Sequence, residues 1–219
     1  MVKVKKRWAK RIAAVTLACA WGAGTVGALV GCSSDSRSSS DEMSVAWTSN
    51  AGEYNLDPTN NYMGWQGSYL GIYEQLFRID ANFDPQPMLA ESAEMVNDTT
   101  WKITIREGVT FQNGNELNAQ AVADCLNRTI SMNERAKKSL DIASMEADGN
   151  VLTVTTNSLN TAFKNELSEP VASIIDVNSG AAEDEPVGTG PYKIDSVAGN
   201  GDVELSAYDS YWQGEPKIK

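Results

Sequence analysis

The side chains able to do covalent or acid–base chemistry are few in kind and scattered. The chain contains no histidine, which removes Ser-His and Cys-His nucleophilic systems and the commonest metal ligand together. Cys19 lies within an apolar run, Cys32 closes that run, and Cys125 stands alone on an amphipathic segment. These three offer no disulfide framework, and Cys125 is expected to be a small buried apolar residue rather than a reactive thiol. The 29 Asp and Glu residues could supply a carboxylate pair for general acid–base work. They stand singly through turns and helix faces, as solvated surface charges do, so no catalytic residue is assigned and a carboxylate-dependent surface hydrolase is a remote alternative.

Cys32 has the sharper chemistry. Lys3, Lys5, Lys6, Arg7, Lys10 and Arg11 precede an apolar run from Ile12 to Val30, the layout of an export signal. The run is nearly long enough to cross a bilayer, so an uncleaved anchor is the competing reading. "LVGC", Leu29 to Cys32, favours the signal, because it resembles the lipobox of bacterial lipoproteins, in which the cysteine is lipidated and becomes the mature N-terminus. "SSDSRSSSDE" then reads as a flexible polar tether.

All six early charges are basic, which leaves 12 Lys and Arg against 29 acids beyond them, a net charge of −17. Such a surface repels nucleic acid and gains nothing from anionic lipid beyond an anchor. About 180 residues after the signal suit one domain or two small lobes.

The elements that would position any site are mixed α and β. "MSVAWTS" (43–49) predicts a short strand, "AGEYNLDPTNNYMGW" (51–65) a loop, and "SYLGIYEQLFRID" a short helix on the spacing of Leu70, Tyr73, Leu76 and Phe77. "FDPQP" predicts a turn. Trp101, Ile103 and Ile105 alternate with Lys102, Thr104 and Arg106, a half-buried antiparallel strand that Gly108 ends. Val109 and Phe111 should return to the core, Asn113-Gly114 should turn, and Asn118 should cap a helix from Ala119 to about Ile130. "IASMEADGNVLTVTT" predicts a hairpin, "TAFKNELS" a short helix, "ASIIDV" (172–177) a buried strand, "GTGPY" a rigid turn, and "YKIDSV" with "DVELSAY" another strand pair.

"LAESAEMVNDTTWKITIREGVTFQNGNELNAQAV", followed by "PVGTGPYKI" (186–194) and "YWQGEPKIK" (211–219), resembles the signature of solute-binding protein family 5, the extracytoplasmic receptors of peptide and nickel ABC importers. The resemblance runs from Met43 to Lys219 and implies an α/β, periplasmic-binding-protein-like two-lobed fold of type II. Family members are more than twice as long, so only the first lobe and its packed subdomain are expected here. The implied organisation is a lipoprotein signal over 1–31, a lipidated tether over 32–42, the first segment of lobe I over 43–78, an inserted α/β subdomain over 79–179, and a return segment over 180–219 that stops before lobe II. A first portion alone should expose apolar surface that its partner strands would cover.

In such receptors the cleft between lobes closes on cargo and the permease reads the closure. The resemblance points to Tyr54, Asn55, Met63 and Trp65 after the first strand, and to Arg135 after the long helix, as ligand-binding residues. Core or interlobe packing is the alternative fate of the aromatics. Arg135 would grip the carboxylates of a metal chelator as a planar bidentate donor; Lys137 or Lys138 could serve instead, and solvated surface charge is the plainer fate of each. The implied function is a monomeric, lipid-anchored receptor on the outer face of the cell membrane. It would hand an oligopeptide or chelated nickel to an ABC permease and ATPase, without cofactor, bound structural metal, nucleic acid or turnover. A peptide-binding sensor or chaperone lipoprotein is the alternative.

Overall fold

The computed structural model describes residues 2–4, 43–45, 55–180, 185–199 and 201–218. Cys32, the tether, the Ile12–Val30 run and Tyr54 lie outside them. The elements begin with β1 (Val2–Val4), β2 (Ser44–Val45), α1 (Asn61–Tyr69), β3 (Phe77–Ile79), β4 (Pro85–Pro87), β5 (Ala90–Asn97) and β6 (Thr100–Ile105). They continue with α2 (Ala119–Met132), α3 (Glu134–Leu140), β7 (Ile142–Asp148), β8 (Val151–Thr156), α4 (Phe163–Glu166), β9 (Tyr192–Val197) and β10 (Val203–Ala207). Among the described residues no helix is long and apolar enough to cross a membrane.

The alternation over residues 101–105 folds as expected. Trp101, Ile103 and Ile105 are buried on one face of β6, and register sets Trp101 opposite Val154 and Ile103 opposite Leu152 of β8. The same-face pairing makes an antiparallel meander in the order β5-β6-β8-β7. Helix α2 packs against β7 and β8 and buries Val122 and Leu126, while its Cys125 meets Ser173 and Ile175. Full burial of each such aliphatic side chain contributes about 1.5–3 kcal/mol. Asn118 caps α2 by accepting the Ala121 amide at 3.0 Å. Val109 and Phe111 reach the core, and the chain turns through Asn113-Gly114.

A second sheet runs β2-β1-β10-β9. The expected strand pair from residue 192 onward forms its β9–β10 edge, antiparallel, with Leu205 opposite Ile194. β1 lies parallel to β10 on its other side.

Four sequence expectations fail in whole or in part. The helix expected at residues 68–80 is absent. Instead α1 occupies part of the segment expected to be a loop, and the chain leaves it at Gly71, whose φ of 72° belongs to the left-handed region. Leu70, at the end of α1, and Ile72, Tyr73, Leu76 and Phe77 are buried, but the last four belong to an extended segment surrounded by core. Burial on all sides mimics helical spacing, and the segment ends in the β3–β4 hairpin, which also turns the expected "FDPQP" turn into a strand. Residues 172–177 are buried as expected but make one bridge, Ile174 to Glu74, after a 3₁₀ turn at Pro170–Ala172.

The three motifs behind the family resemblance meet around that extended segment. Gln112 Nε2 lies 2.8 Å from the Ile72 carbonyl, 3.0 Å from that of Gly190 and 2.8 Å from that of Tyr192, while its Oε1 accepts the Gly188 amide. Gly188 packs so closely on Ile72 and Tyr73 that a Cβ there would stand 2.1 Å from the Ile72 oxygen. Glu74 is buried and accepts from Thr189 Oγ1 at 2.8 Å, Tyr211 OH at 2.6 Å and Trp212 Nε1 at 2.8 Å. Arg106 completes the junction, its guanidinium 4.9 Å above the Trp212 ring. The motifs are a structural joint.

Candidate functional site

An open groove of about 450 Å³ is lined by Asn55, Asp57, Thr59, Asn60 and the corner from Met132 to Arg135 between α2 and α3. None of its lining comes from residues 101–114.

The loop 55–60 is held from behind. Tyr73 OH donates to the Leu56 carbonyl at 2.8 Å. The Asp57 carboxylate, 3% exposed, accepts Arg128 of α2 at both oxygens, Nη1 reaching Oδ1 at 3.0 Å. Asp57 Oδ1 also accepts the Thr59 amide and hydroxyl, both at 2.8 Å. Burial alone would raise the pKa of Asp57, but the bonds from Arg128 and Thr59 overcome it and hold the carboxyl below its usual range. The Asp57 charge is thus spent on the loop's own geometry, while Asn55, whose Oδ1 accepts the Asp57 amide at 2.8 Å, and Asn60 bring neutral amides to the groove lining.

The opposite wall is the α2–α3 corner. Arg135 is exposed on the groove rim, its guanidinium 5.7 Å from the Trp65 ring centroid and Nη2 3.3 Å from Glu169 Oε2. With both side chains of that ion pair widely exposed, it is weak and can yield the guanidinium to another anion.

Of the residues singled out by sequence, Asn55 and Arg135 line the groove and Trp65 lies beneath Arg135. Met63 is on α1, with its side chain outside the described residues. Lys137 and Lys138 are exposed on α3 and do not line the groove; Lys137 sits 4.0 Å from Glu134. Asp57, Thr59, Asn60 and Asn133 were not singled out. The turn-forming run "NLDPTNN" held a signal for the first three, since Asp and Asn in such a run fold side chain onto backbone. Cys125 is buried as expected. Its thiol lies 3.5 Å from the Ser173 carbonyl, and burial pushes its pKa up to about 11, so it is inert at neutral pH.

Residues 84–219 match the family described as bacterial extracellular solute-binding proteins, family 5, middle region. The chain belongs to this family. The nickel-binding protein NikA of Staphylococcus aureus is 35% identical over 150 residues, covering 68% of this chain and 30% of that protein. The glutathione-binding protein GsiB of Escherichia coli K12 is 33% identical over 161 residues, with 67% and 31% covered. The nickel ABC transporter protein of Bacillus halodurans superposes with a TM-score of 0.73 at 38% identity, over 78% of this chain and 36% of that one. S. aureus NikA in complex with Ni(L-His)2 superposes equally well, at 0.73 and 31% identity, over 77% and 36%. This family 5 chain therefore has the α/β architecture of the type II periplasmic binding proteins, and spans about a third of the length of these relatives.

Proposed function

We propose that this chain is the first portion of the substrate-binding lipoprotein of an ABC importer, and that its groove is one wall of the cargo site. The observation that carries the reading is the placement of Arg135, a rim guanidinium on a groove lined by the amides of Asn55 and Asn60 beside Glu134 and the Arg128-paired Asp57, in a chain whose similar proteins include two named for nickel. A planar donor in that setting suits the carboxylates of a small chelator around a nickel ion. Among the described residues no three His, Cys, Asp or Glu side chains stand together as metal ligands, so the metal would bring its donors with it or find them elsewhere. Short peptides are the second reading, favoured by the similarity to a glutathione-binding protein and by the loop amides, which suit backbone hydrogen bonding.

On this reading residues 1–31 are removed, so β1 and its pairing with β10 belong to the chain before processing, Cys32 carries the lipid, and 32–42 tethers the receptor to the outer face of the membrane. Residues 43–78 and 180–219 belong to one lobe around the inserted 79–179 subdomain, and the receptor works as a monomer with permease and ATPase partners. It releases its cargo unchanged, without catalysis. Native mass spectrometry of the full chain, purified with no ligand added, tests the proposal. A single small adduct with a nickel isotope pattern is expected, a set of short peptides would favour the second reading, and a chain that carries neither and binds neither when offered both would overturn it.

A further inference from the structure

We infer that Asn133 is the positioning residue of the groove: its amide fixes the spacing between the loop 55–60 and the corner that presents Arg135. This rests on the reading of the groove as the ligand site.

Asn133 is 6% exposed and sits between two helices. Its backbone N–H donates to the Thr129 carbonyl and closes α2, and its carbonyl accepts the Lys137 amide and opens α3, both at 2.9 Å. Its side-chain Oδ1 accepts the Ala136 amide at 2.9 Å as the cap of α3. The other arm of the same amide, Nδ2, donates to the Thr59 carbonyl at 2.8 Å across the groove floor. An amide donor at one end and a carbonyl at the other admit one orientation of this side chain.

Capping requires an acceptor and nothing more, and Asp, Ser or Thr supply it as well as Asn does. The donor arm is therefore surplus to the helix, and it is spent on the loop. The other ties on that loop come from different places: Tyr73 holds Leu56, and Arg128, a turn back along α2, holds Asp57. Asn133 alone among these three lies on the corner itself, two residues before Arg135. Thr59 is also buried, so its carbonyl has little access to water if Nδ2 is withdrawn, and the loop must shift to hydrate it. One planar group thus couples the two walls that a ligand would touch together.

Asn133→Ser keeps a capping oxygen and lacks the donor; Asn133→Asp does the same with a charge, and serves as the second variant. Hydrogen exchange on the full chain reads the loop and the helix separately. In Asn133→Ser, amides of residues 55–60 are expected to exchange about tenfold faster, with α3 amides within about twofold of wild type. Unchanged exchange at 55–60, or equal acceleration in α3, overturns the inference by reducing Asn133 to a cap. Titration with Ni(II)–L-histidine and with glutathione supplies the second readout. Where the wild type binds either probe, Asn133→Ser should weaken it about tenfold. Equal affinity beside a loosened loop overturns the positioning role. Because exchange is read without ligand, a wild type that binds neither probe counts against the ligand-site reading and leaves the tie to be decided by exchange.

Discussion

Replacing Arg128 by Met keeps much of the side-chain volume and strands a buried carboxylate. Asp57 is 3% exposed and takes Arg128 at both oxygens. Without it, Oδ1 retains Thr59 while Oδ2 has no side-chain donor among the described residues. Breaking a buried pair from one side costs about 3–5 kcal/mol. For a chain of this size each kcal/mol lowers Tm by about 2–4 °C, so a fall of about 6–20 °C is expected in a circular-dichroism melt near neutral pH. The pH dependence supplies a sharper criterion. In the wild type the Asp57 carboxyl is held low, so its contribution is present above the unfolded value and lost as pH falls through the folded one. In Arg128→Met burial is opposed by Thr59 alone and the pKa rises, so the cost of the stranded charge should shrink as pH falls and the carboxyl takes up a proton. The double variant Asp57→Asn, Arg128→Met removes the stranded charge and should recover most of the loss. A single variant that melts within about 2 °C of wild type would refute the reasoning, as would a Tm difference between wild type and variant that fails to narrow as pH falls.

The junction behind the signature motifs yields two further expectations. Gly188→Ala places a methyl 2.1 Å from the Ile72 oxygen and 2.6 Å from Tyr73 Cβ, so the two segments must part. A loss of at least about 3 kcal/mol is expected in a denaturant titration, against no measurable loss for Gly199→Ala, where nothing lies within 4 Å; equal effects would contradict the close-approach account. At Glu74 burial raises the pKa above the ordinary 4.5, although Tyr211, Trp212 and Thr189 lower it in part. Its contribution is greatest below the unfolded value and lost as pH rises through the folded one. The Tm of wild type minus that of Glu74→Gln should therefore become more favourable to wild type as pH is lowered from about 8 to about 5, and a difference that is flat or opposite in sign would show that Glu74 is not raised.

The strands and the long helix were legible because one face of each is buried and the other wet. The alternation of Trp101, Ile103 and Ile105 and the cap at Asn118 are local signals, read within a few residues. Residues 72–77 were misread for a physical reason: an extended segment buried on every side, Glu74 and Gln75 included, has no wet face, and its apolar residues then fall at helical spacing by default. The groove was legible only in part. Arg135 and Asn55 stood out by residue type, whereas Asp57 and Asn133 owe their places to partners 71 and 74 residues away in sequence. Motifs spaced along the chain identified the family, but that they share Glu74 and Gln112 is a tertiary fact.

That sharing also dictates an order of events during synthesis. Glu74 meets Thr189 across 115 residues and Trp212 across 138. The β5–β8 meander has all its strands once Thr156 has left the ribosome, whereas the segment from Gly71 to Glu74 waits for residues made much later. Until then a carboxylate destined for burial stays hydrated, and the strand that will carry the joint has one neighbour missing. The joint is closed only when residues 211 and 212, well over a hundred positions after Glu74, have been made.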